Sequence, residues 1–109
     1  MKVETRENTT LIKDTQGDLK KFLDNVTHEY KSFEKNNLII DLLSYDNLKE
    51  ADITTFRDLS DHHRNANKSF IIVADTDFNS ISEQFVVVPT ILEAHDMIEM
   101  DEIQRDLGF

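Results

Sequence analysis

Asn37–Ile53, NLIIDLLSYDNLKEADI, is the stretch whose reading decides the fold. Leu38-Ile39-Ile40 is a continuous apolar run, followed by Asp41 and a polar turn around Asp46-Asn47. Asp52 then reads as the cap of a helix. An apolar run without alternation signals a strand covered on both sheet faces, as in parallel sheets. A strand that hands a loop to a helix N-terminus is where α/β proteins often place a ligand or partner surface.

Working outward, Leu19, Phe22, Leu23, Val26, Tyr30 and Phe33 recur at spacings of three and four. They predict one amphipathic helix, opened by Gly17-Asp18 and ended by Asn36-Asn37. Before it, Val3–Thr15 reads as two short edge strands with a turn at Glu7-Asn8. Downstream, Ile53, Phe56, Leu59 and Ala66 form the apolar face of the helix capped by Asp52, with His63 beside them. Ser69–Ala74 (SFIIVA) is a second continuous apolar strand. Asp75–Gln84 is polar and irregular, with room for a short helix or turn that tucks Phe78 and Ile81 down. Phe85–Val88 is a third buried strand, which Pro89 stops.

Thr90-Ile91-Leu92-Glu93 is a capping box for the last helix, carried on by Ile91, Leu92, Ala94, Met97 and Ile98. A second cap signal at Asp101 predicts a break near Met100, and Gly108 closes the helix. Residues 1–109 thus read as one α/β domain. Its mixed β-sheet has about four to five strands, covered by roughly three to four helices and joined by right-handed crossovers.

Composition restricts the function classes. With 22 acidic and 12 basic side chains the net charge is −10, which opposes binding to nucleic-acid backbones and anionic membranes. The lysines at 13, 20, 21, 31 and 35 are interrupted by Asp14, Asp18, Asp24 and Glu34, a solvated face rather than a basic patch. No cysteine is present, which removes disulfides, thiolate metal sites and a cysteine nucleophile. The N-terminal segment has no apolar core and no run approaches spanning length, so a cytoplasmic protein without membrane insertion is expected.

Candidate chemistry is sparse. His62 and His63 are adjacent, so on a helix they point about 100° apart and do not chelate one ion. His63 falls on the apolar stripe and is expected to donate to a backbone carbonyl. His95, Asp96 and Glu99 read as the outward face of the last helix. The two glycines, Gly17 and Gly108, form no phosphate cradle. No catalytic residue, metal or cofactor is therefore expected. The remaining candidate is the loop after the first buried strand. Ser44, Tyr45, Asp46, Asn47, Glu50 and Asp52, with Thr54 and Thr55, form its polar rim, and Leu48 and Ile53 are possible apolar anchors.

The element order, the LIID strand (Leu38–Asp41), the loop into a helix and the Val88-Pro89-Thr90-Ile91-Leu92-Glu93-Ala94 step resemble the STAS domain. That is the fold of anti-sigma-factor antagonists and of sulfate-transporter cytoplasmic tails. The resemblance implies a non-enzymatic regulatory module that binds a protein partner through this loop. It also implies a phosphoacceptor at the start of the following helix, where the matching positions are Lys49, Glu50, Ala51 and Asp52. None of these carries a hydroxyl, and Glu50 supplies a permanent charge instead. STAS-like sheets also resemble Sec14-type lipid-binding folds, which implies as an alternative a ligand pocket between the sheet and the helices of Phe22, Phe33 and Phe56. The chain is further similar to short acidic bacterial proteins that go under a ribonuclease Z label. That enzyme family holds two zinc ions with an H-x-H-x-D-H motif, and His28, His62, His63 and His95 stand in no such spacing. A monomer is expected, or a weak homodimer through the N-terminal edge strand, where Lys2, Glu4 and Arg6 read as edge protection.

Overall fold

A computed structural model describes residues 1–75 and 85–108. Among these residues five strands, β1 (Lys2–Arg6), β2 (Thr9–Lys13), β3 (Asn37–Asp41), β4 (Phe70–Val73) and β5 (Val86–Val88), form one mixed sheet in the order β1-β2-β3-β4-β5. β1 and β2 are antiparallel through the expected turn, where Glu7 adopts φ 57. The pairs β2/β3, β3/β4 and β4/β5 are parallel. β2 is therefore interior rather than an edge, because β3 pairs along its other side. The short element expected around Phe78 and Ile81 lies outside the described residues.

Strand alternation splits the apolar residues between two layers. Ile12, Leu38, Ile40, Leu42, Phe70 and Ile72 face one side and meet Phe22, Val26, Tyr30, Phe33, Ile53 and Phe56. Ile39, Ile71 and Val73 face the other side and meet Ala94 and Ile98. All five residues of β3 are buried, as its unalternated run predicts. β5 is only half-buried, a correction to its reading as a third fully covered strand. Among the described residues it has a ladder neighbour on one side only.

Among the described residues five helices cover the sheet: α1 (Leu19–His28), α2 (Tyr30–Phe33), α3 (Glu50–Thr54), α4 (Arg57–Asn65) and α5 (Ile91–Asp106). Each of the first two predicted helices is divided. The first breaks at Glu29, which takes φ −96 and ψ 8 while its N–H still bonds to Asn25. The second breaks at Thr55-Phe56. There the Thr54 and Thr55 hydroxyls bond to the carbonyls of Glu50 and Asp52 at 2.8 and 2.6 Å, and hydroxyls bonded back onto a helix tend to bend it.

Asp52 is not the cap residue. Lys49 occupies that position, and the Asp52 carboxylate accepts the Lys49 N–H at 2.9 Å from the third helical residue. α4 ends with Asn67 in the left-handed region (φ 63), and Asn67 and Lys68 return N–H bonds to Arg64 and His63. Ala66 is exposed at this cap instead of sharing the apolar face.

α5 runs unbroken through Met100. Asp101 does not cap a new helix because its carboxylate accepts the Ser69 hydroxyl at 2.7 Å from the amino end of β4. The Asp18 and Thr90 caps form as expected, accepting N–H bonds from Lys21 and Glu93, each at 3.1 Å. Among the described residues no helix is long and apolar enough to cross a membrane.

Candidate functional site

Because β2, β3, β4 and β5 run in parallel, their carboxyl ends share one edge. Asp14 follows β2, the Leu42–Lys49 loop follows β3, and Pro89 and the α5 cap follow β5. Asp14 is nearly fully buried and accepts N–H bonds from Gln16 at 3.2 Å and Gly17 at 2.8 Å. It also accepts the Tyr45 hydroxyl. Gly17 sits at φ 73, a conformation that side chains with a Cβ resist.

The clasp shifts both partners. Burial pushes the Tyr45 phenol up, and the adjacent Asp14 carboxylate pushes it further. Burial alone would raise Asp14, but the bonds from Tyr45, Gln16 and Gly17 outweigh it and hold the carboxyl below its ordinary value.

The loop has two kinds of residue. Tyr45 is half-buried on Asp14, Leu48 is buried in the core, and Leu43 N–H is tied to Asp41 at 2.9 Å. Ser44, Asp46, Asn47, Glu50, Ala51, Thr54 and Thr55 are exposed. Asn47 takes φ 59 at the tip, a conformation asparagine adopts more readily than most residues. The structure thus brings together the predicted rim but removes its anchors: Leu48 and Ile53 belong to the core. Leu43, 39% exposed, is the apolar residue the loop presents instead. Glu50 and Ala51, where the STAS resemblance would set a phosphoacceptor, begin α3 on the surface.

The histidines separate as their spacing suggests. His63 is fully buried, with Nε2 2.8 Å from the Asn36 carbonyl and Nδ1 2.6 Å from the Tyr30 hydroxyl. A carbonyl only accepts, so Nε2 carries the proton and Nδ1 accepts from Tyr30. Desolvation, joined by the nearby Lys68 and His62 charges, lowers the His63 pKa despite the Asn36 bond. His62 is exposed and stacks edge-on against Tyr30 at 5.4 Å. His95, Asp96 and Glu99 are all exposed on α5. Among the described residues no group of three or more His, Asp or Glu side chains is placed to hold a metal.

Phe22, Phe56 and Phe70 are buried between the sheet and the helices, where a ligand space is the alternative expectation, with the Phe22 and Phe56 rings 6.3 Å apart. What remains nearby is an open groove between α1 and α4, lined by Leu23, Tyr30, Leu59 and His62 among others.

At the opposite edge lies a polar network that periodicity does not reveal. Glu102 accepts from Asn8 and Asn37 at 3.1 and 3.0 Å, and buried Asn37 accepts the Ser69 N–H at 2.9 Å. Arg105 reaches Ser69 and Asn37 at 3.3 and 3.4 Å. Polar residues at the amino ends of β3 and β4 were a weak signal for it, since buried strand ends need partners.

Compared with known protein families and with curated protein sequences, the chain matches none of them.

Proposed function

We propose that the protein is a non-enzymatic, STAS-like regulatory module that binds a protein partner through the Ser44–Thr55 loop and helix. The observation that carries this reading is the division within the loop. Tyr45 and Leu48 are held from below, while Ser44, Asp46, Asn47 and Glu50 stand exposed at the carboxyl edge of the parallel strands. A rim fixed in this way loses little conformational entropy on binding, which favours recognition by a preformed surface. The element order on which the STAS resemblance rests supports it as well. Glu50 gives the surface a constant negative charge where that family carries a switchable one. The acidic balance of the chain favours a protein partner over nucleic acid.

The test compares immobilised wild-type protein, Glu50→Lys and Leu107→Ser for capture of protein from native lysate. The expected result is a partner lost with Glu50→Lys and retained with Leu107→Ser. Retention by Glu50→Lys of every protein that the wild type captures, or no captured protein at all, overturns the reading.

A further inference from the structure

α5 is apolar on two sides. Its inner side sets Ala94 and Ile98 on the sheet. Its outer side exposes Leu92, Met100, Ile103 and Leu107 at 71, 54, 52 and 66%. At about 100° per residue these four fall within one roughly 80° sector, and they extend over about 22 Å of helix. Scattered exposed apolar residues need no explanation, but a stripe aligned on one helix face marks an interaction surface.

Charge decides what fits the stripe. Asp96 projects from within the same sector, and Glu93, Glu99 and Asp106 flank it, all exposed. Arg105, the helix's one Lys or Arg residue, is turned inward to Ser69 and Asn37. The outer face therefore carries four carboxylates and no lysine or arginine. Pairing with a second copy would set these carboxylates against their equivalents and desolvate Asp96 beside like charge. An anionic membrane is repelled for the same reason.

We propose that the outer face of α5 docks a cationic amphipathic helix of a partner protein. Apolar residues of that helix lie on Met100, Ile103 and Leu107, and its lysines or arginines reach Asp96, Glu99 and Asp106. This surface is separate from the Ser44–Thr55 loop.

The full chain is titrated by calorimetry with a synthetic helical peptide that carries leucines at i, i+3 and i+7 and lysines beside them. A matched peptide with glutamates replacing the lysines serves as control. The cationic peptide is expected to bind about tenfold or more tightly than its control. The Ile103→Ser/Leu107→Ser variant, which changes no charge at exposed positions, should weaken binding about tenfold or more, and Asp96→Lys should do likewise. Glu50→Lys should leave it unchanged, so failure here is distinct from failure of the loop reading. Binding that Ile103→Ser/Leu107→Ser leaves intact would mean nonspecific charge attraction and overturn the proposal. So would a wild-type dimer, seen by sedimentation, that the same double variant dissolves.

Discussion

The Tyr30, His63 and Asn36 chain permits a quantitative test of how the helical layer is held together. Tyr30 is 9% exposed and His63 fully buried, so neither group freely exchanges its partner for water. Tyr30→Phe removes the donor and leaves His63 Nδ1 buried without one, a loss of about 1–3 kcal/mol. His63→Leu roughly preserves volume but strands the Tyr30 hydroxyl. The Asn36 carbonyl, on a half-buried residue, can turn to water, so this loss should also be about 1–3 kcal/mol. In the double variant the stranded hydroxyl and the stranded nitrogen are both gone. Its destabilisation should therefore fall short of the sum of the single effects by about 1–2 kcal/mol. The chain has no tryptophan, so urea unfolding is followed by far-ultraviolet circular dichroism near neutral pH, and a constant denaturant slope is required for all four proteins. Additivity within about 0.5 kcal/mol would refute the reasoning, because it would show that hydroxyl and imidazole do not act as a pair.

Further outcomes follow at His63 and at the contact between Asp14 and Tyr45. The His63 pKa is lowered in the fold, chiefly by burial, so below about pH 6.5 the unfolded chain takes up the proton more readily. Stability should fall as pH drops through that region, with a slope of at most about 1.4 kcal/mol per unit. His63→Leu should lack this component in pH-dependent urea melts, and an unchanged acid profile would exclude His63 as its source. Tyr45→Phe should cost about 1–2 kcal/mol by removing a donor to a carboxylate, and it should speed amide exchange across the Ser44–Lys49 loop. Asp14 is held below its ordinary pKa in the fold. It therefore contributes stability above about pH 4 that is lost as pH falls further, and Tyr45→Phe should shrink that loss. A loop that stays equally protected would show that the clasp does not hold it.

Local signals specified much of the architecture. The unalternated Leu38-Ile39-Ile40 run identified a strand covered on both faces, the Phe22, Val26, Tyr30, Phe33 spacing identified a buried helical stripe, and Asp18 and Thr90 marked two helix starts. These are short-range properties of backbone and side chain, so a few neighbouring residues express them. The position of His63 among buried residues was legible for the same reason, and so was the exposure of Ser44, Asp46, Asn47 and Glu50.

Whatever depends on residues far apart in the chain was decided by tertiary structure. Tyr45 reads as part of a polar rim until Asp14 is brought beneath it. Asp101 reads as a cap until Ser69 meets it from the amino end of β4, and Leu48 reads as a surface anchor until the core closes over it. The axial position of α5 on the sheet, which no local pattern sets, leaves Ile103 and Leu107 facing outward. In each case the residue type allowed two environments of similar local energy, and a long-range contact selected one.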